Sequence, residues 1–213
     1  MNFFLETSVM LVVSSILLVW LKSIRTAIKI LSLQSFFLGI TGFLLAWQTG
    51  VTDMYVMAIL TIVVKGFIIP SILDTTMQKM YLKRETEKFI GREISLLFAS
   101  GLVVFSFFIT KPLGEIMSDT GHPYLPNAIS MVLIGLFIMI THKKAIMQGI
   151  GLIVIENGLF LFALSASGGM PFIVDIGIFL DVLVSVILIS LLSYRMEQTF
   201  KSISTDWLRK LKG

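Results

Sequence analysis

KKAIMQGIGLIVIENGLFLFALSA, residues 143–166, is a long apolar run with basic residues only at its start and a single acid, Glu156, near its middle. About 20 apolar residues at 1.5 Å each cross a hydrocarbon core of roughly 30 Å, so the run predicts a membrane-spanning helix. Glu156 then falls near the bilayer midplane. A carboxyl at that depth is costly, faces protein or water, and is by default a functional candidate.

The composition agrees with this reading. Hydrophobic residues make up 56% of the 213-residue chain and charged residues 14%, with a mean hydropathy of +0.94; soluble domains carry about a quarter charged residues. The expected fold is an all-α, polytopic membrane protein. Cysteine is absent, which excludes a disulfide, a thiolate metal site, covalently held haem and a cysteine-ligated iron–sulfur cluster. The two histidines, His122 and His142, fall on opposite sides of the membrane and make no metal site; both read as groups at or outside the membrane surface. The net charge of +4 sits where membrane topology signals sit, so no nucleic-acid partner is expected.

Seven spans are predicted: about Leu5–Leu21, Ala27–Trp47, Met54–Leu73, Ile94–Thr110, Ala128–Ile140, the opening stretch, and Phe172–Tyr194. The first lacks the order of a signal peptide and is expected to be retained. The polar segment Asp74–Glu93 reads as an extension of its flanking helices along the membrane surface. The stretch KPLGEIMSDTGHPYLPN (111–127) reads as the longest non-helical connection, because three prolines and two glycines break helix. With loops assigned alternately, one side collects every Lys and Arg except Lys65 and Lys111. By the positive-inside rule that side is cytoplasmic, which puts the N-terminus outside and the C-terminus inside.

A faint internal repeat organises the chain into 1–80, a linking segment 81–126, and 127–213. Spans one to three and five to seven share a plan of helix, basic turn, helix with a mid-span polar residue, short outer turn, and helix with a central charge. Gln34 and Lys65 in the first unit answer to Glu156 and Asp181 in the second. Span four intervenes, so both units cross in the same direction.

These four residues lie deep in spans and are the candidates for proton or ion relay. Gly149 is two turns from Glu156 on its face, and Gly177 and Ser185 stand one turn either side of Asp181. Small neighbours let water or another helix approach an acid. Thr61 precedes Lys65 by a turn, and Pro70, five residues after it, is placed to kink span three and free a carbonyl. A second role fits the same residues: polar groups join membrane helices, and a Glu–Lys or Asp–Lys pair would fix helix docking. The glycines of GIGLIVIENG are no nucleotide loop, since they lie inside an apolar helix with no strand before them.

Residues 143–195 resemble the three-helix K-type subunit of respiratory complex I and the C subunit of Mrp-type cation/proton antiporters. Gly151, Leu152 and Asn157 match that family's G-L-x-x-x-x-N helix, Asp181 its last acid, and Arg195 its basic exit. The family's first acid would fall at Ile153; here the carboxyl is Glu156, one turn further along. With an added N-terminal unit and linking helix, the whole chain is similar to the hydrogenase 4 component E family of group 4 nickel–iron hydrogenase complexes, such as formate hydrogenlyase. That resemblance implies a prokaryotic cytoplasmic (inner) membrane and a place beside antiporter-like and quinone-site-like subunits and a peripheral hydrogenase arm. Nickel–iron and iron–sulfur centres would belong to those partners, with no cofactor in this chain. A non-conducting scaffold subunit and an independent small cation/proton transporter are the alternatives.

Overall fold

The computed structural model describes residues 2–50, 52–79, 88–116, 124–167 and 187. Among these the chain is helical, and the only pairing of extended backbone is one antiparallel bridge between Lys88 and His142. The elements are α1 (Asn2–Trp20), α2 (Ile24–Thr49), α3 (Thr52–Leu60), a π-helix (Thr61–Ile68), α4 (Ile69–Lys79), α5 (Arg92–Ile116), α6 (Leu125–Thr141) and α7 (Ala145–Ser167). Helix α3, the π-helix and α4 follow without a break and form one rod. Four described stretches are long and apolar enough to cross a membrane: Ile24–Gln48, Met54–Gln78, Arg92–Pro112 and Ala145–Leu164. Leu5–Trp20 and Leu125–Thr141 are shorter apolar helices. The expected last span, Phe172–Tyr194, lies outside the described residues apart from Ile187.

The outward surface is that of a membrane protein. Leu97, Phe108 and Ile140 are 73%, 76% and 74% exposed, a pattern that suits hydrocarbon and would be a liability in water. Inside, Leu18, Leu31, Leu38, Ile134 and Ile153 are fully buried in one apolar cluster. Polar contacts tie the end of the bundle remote from the basic turns. Asn127 Nδ2 donates to Ser8 Oγ at 2.8 Å, Ser106 Oγ donates to the Pro126 carbonyl at 2.9 Å, and Ser106 and Ser130 hydroxyls are in contact.

Two expected connections differ from the structure. The segment 111–127 is shorter as a loop than its prolines suggest. Helix α5 runs through Pro112 to Ile116, and α6 begins at Leu125 with Pro126 in its first turn, where a missing N–H costs nothing. Within the polar segment after span three, the residues up to Lys79 are helical. Residues 88–91 are not helical: Phe89 N–H donates to the Thr141 carbonyl at 2.9 Å, and Lys88 Nζ donates to the Val19 carbonyl at the end of α1.

Pro70 explains the π-helix. It has no N–H to give to the carbonyl one turn back, and its ring crowds that carbonyl, which belongs to Gly66. The ladder widens instead, with Ile69 N–H reaching the Val64 carbonyl five residues back. The Gly66 carbonyl is taken up by a neighbour: Ser32 Oγ on α2 donates to it at 2.5 Å. The carbonyl expected to be freed near Lys65 is therefore satisfied from another helix.

Helices α6 and α7 cross at glycines. A Cβ on Gly135 would sit 2.7 Å from the Gly151 carbonyl oxygen and 2.8 Å from Ile155 N, and one on Gly151 would sit 2.8 Å from the Gly135 carbonyl oxygen. Gly158 meets the Ala128 carbonyl in the same way, at 2.9 Å. Absent side chains let the backbones touch, as in other membrane helix pairs. This contact fixes the height and rotation of α7, and so of Glu156.

Candidate functional site

Four helical segments bring polar side chains to one buried line near mid-depth. The π-helix supplies Lys65, whose Nζ lies 2.7 Å from Glu156 Oε1 on α7, with the two side chains 1% and 4% exposed. Lys65 Nζ also donates to Asn157 Oδ1 at 3.3 Å. Asn157 Nδ2 donates to Gln34 Oε1 on α2 at 3.3 Å and to Ser35 Oγ at 3.4 Å. Gln34 Nε2 then donates to Ser15 Oγ on α1 at 2.7 Å and to the Leu11 carbonyl at 3.1 Å.

The direction of this chain is set at one end. An ammonium has only donors, so it takes the Asn157 oxygen and leaves that amide nitrogen to point at Gln34, whose own nitrogen must point at α1. Each amide has one consistent orientation. The Phe160 ring lies 5.9 Å from Lys65 Nζ and adds a weak cation–π contact. Two oxygens stand apart from this order. Glu156 Oε2 and Thr61 Oγ1 are buried and take no hydrogen bond from a described residue.

Chemically, only the Lys65–Glu156 pair titrates. A proton passing from ammonium to carboxylate neutralises both groups, and Glu156 Oε2 is left without a donor among the described residues. The amides of Asn157 and Gln34 cannot take up a proton at neutral pH and act as oriented dipoles. Three of the four sequence candidates, Glu156, Lys65 and Gln34, thus converge. Asp181 lies outside the described residues.

Asn157 is the residue the sequence reading left without a role. It was visible only as a motif match, and its neighbour Glu156 drew the argument; adjacent positions on a helix point about 100° apart, yet both reach Lys65, which lies between them. Gly149, chosen for closeness to Glu156, is buried, and Gly151 on the same helix meets the Gly135 backbone.

His142 also departs from expectation. Placed by sequence at the surface beside Lys143 and Lys144, it is 0% exposed, covered by the Lys88 bridge. Its Nδ1 faces the Ile138 carbonyl at 2.9 Å, and its Nε2 has no partner among the described residues. Burial drives its pKa down to about 4, the Ile138 carbonyl opposes this, and Lys88 adds to the lowering. The folded state therefore favours the neutral ring. The stability this contributes is complete above pH 6.5 and is lost as pH falls from 6.5 through about 4, a change on the order of 3 kcal/mol. In detergent unfolding titrations between pH 7 and 4.5, His142→Gln is expected to remove that part of the acid sensitivity. An identical acid slope in the variant would contradict it.

Among the described residues no group of His, Cys, Asp and Glu is placed to hold a metal. No family model matches the chain, and no solved structure matches it. It is similar to a Mycobacterium tuberculosis protein named "Uncharacterized protein Rv0085", 29% identical over 203 residues, which are 95% of this chain and 92% of the relative. The likeness runs along nearly the full length of both chains, and the relative's name brings no activity with it.

Proposed function

We propose that this chain is a cofactor-free membrane subunit of a complex I-like hydrogenase or related oxidoreductase complex, in which Glu156 and Lys65 exchange a proton as part of proton or sodium translocation. The observation that carries this is the buried 2.7 Å pair prolonged by Asn157 and Gln34 into a line of hydrogen bonds across the interior. In this reading Asp181 continues the track on the seventh span. The chain forms two K-subunit-like units joined by α5, with its N-terminus outside the cytoplasmic membrane and its C-terminus within. Redox centres sit in partner subunits.

The scaffold reading keeps a specific observation of its own. The same contacts join α1, α2, the π-helix and α7, which is what a docking pair would do. Glu156→Gln separates the two, because it keeps shape and an acceptor for Lys65 and removes the titrating proton. In vesicles from the source organism, with sidedness read from cysteines at positions 48 (outside) and 78 (cytoplasmic), the variant is expected to assemble at parental levels. Ion movement per electron should fall at least tenfold, a barrier rise of about 1.4 kcal/mol. Parental coupling in the assembled variant would eliminate the relay and leave the scaffold.

A further inference from the structure

At the basic end of the bundle, the first turns of α2 and one face of α4 enclose a cleft of about 490 Å³. Arg25, Ile28, Lys29 and Ser32 line one wall and Pro70, Asp74 and Gln78 the other. Their spacings of three and four place each set on a single helix face. The wall is pre-ordered around Asp74. Its Oδ1 lies 3.5 Å from Arg25 Nε, and its Oδ2 accepts from Gln78 Nε2 at 2.6 Å.

Asp74 therefore lies within ion-pair distance of the inner nitrogen of Arg25 but makes no hydrogen bond to it, and no described residue engages the terminal fork of the guanidinium. Lys29, one turn further along α2, is exposed and forms no ion pair with a described residue. Two cations face one carboxylate, so the cleft carries net positive charge. Ile28 and Pro70 are buried and form its apolar back. The cleft lies at the shared end of the spans Ile24–Gln48 and Met54–Gln78, the level at which lipid phosphates lie.

We propose that this cleft binds a phosphate group, with the Arg25 fork and the Lys29 ammonium as donors. A planar fork matches two phosphate oxygens, and a lysine beside it adds a point charge. Basic clefts between membrane helices at this level suit the headgroup of an anionic phospholipid; inorganic phosphate is the other source of the same chemistry. The site is independent of the relay and stands or falls separately from it.

The test uses the purified full chain in detergent, with its thermal unfolding midpoint followed by tryptophan fluorescence. Short-chain phosphatidylglycerol, short-chain phosphatidylcholine and sodium phosphate are titrated separately. Phosphatidylglycerol is expected to raise the midpoint saturably and phosphatidylcholine to leave it unchanged. A rise with phosphate alone would keep the site and assign it to the free anion. Arg25→Lys keeps the charge and loses the fork, Lys29→Gln leaves the Arg25–Asp74 contact intact, and each should raise the half-saturating concentration at least tenfold. Lys22→Gln, outside the cleft, should not change it. No rise with either anion, or an equal loss in Lys22→Gln, overturns the proposal.

Discussion

Lys65→Met is expected to destabilise the protein by about 3–5 kcal/mol, because it strands a buried carboxylate. Lys65 is the one described group within ion-pair distance of Glu156, whose second oxygen already lacks a donor. The reverse deletion is milder. In Glu156→Gln the ammonium keeps Asn157 Oδ1 and the Phe160 ring, and the new amide oxygen can still accept. The double variant Lys65→Met/Glu156→Leu removes both charges together, and such replacements are often neutral or stabilising. It should recover most of the loss, short of about 1–3 kcal/mol for the Asn157 oxygen left without its donor. Detergent unfolding of the three forms reads this directly. Equal instability in the single and double variants would remove the pair from the centre of the fold's energetics. A stable double variant that still moves ions would refute the relay.

Gly151→Leu is expected to cost about 3 kcal/mol and to disturb the site as well. The first carbon added already overlaps the Gly135 carbonyl oxygen, 2.8 Å away, and a backbone oxygen cannot swing aside as a side chain can. Overpacking of this kind typically costs 1–3 kcal/mol, occasionally more. The strain is relieved by moving α7 off α6, which carries Glu156 with it. Gly101→Leu is the control, since a Cβ there meets nothing within 4 Å and the position is exposed on α5. It should shift stability by no more than about 0.5 kcal/mol. A Gly151→Leu protein as stable as the Gly101→Leu form would show that the helices do not cross as closely as described.

Three residues of the buried line were legible because polar groups in apolar runs are conspicuous. Gln34, Lys65 and Glu156 each interrupt a span, and desolvation makes such interruptions meaningful wherever they occur. Their convergence was not legible. Spacing within a helix gives a face but not which helix that face meets, so Lys65 was compared with Asp181 by position in a repeat and met Glu156 and Asn157 in space. Pro70 announced a disturbed ladder, yet the group that takes up the Gly66 carbonyl is Ser32, thirty-four positions before that glycine. His142 was misplaced for a similar reason. It was read as a group at the membrane surface, and the segment that covers it comes from a different loop. Helix α5 runs one turn past Pro112 to Ile116, although the proline forgoes the one ladder bond its N–H would have made.

The π-helix carries a consequence for alignment between relatives. Widening an α-ladder from four residues to five adds a residue to a turn without moving the ends of the rod, so it has the geometry of a one-residue insertion absorbed in place. Each residue of an α-helix advances the face by about 100°. Were the same residues between Thr61 and Ile68 to close instead as unbroken α-helix, the segment beyond them would turn by about that angle relative to Thr52–Leu60. Lys65 would then lose its phase with α7, or Asp74 and Gln78 would lose theirs with α2. The rod is a vernier: the extra residue lets one helix keep two separate appointments, with an acid at its centre and with an arginine near its end.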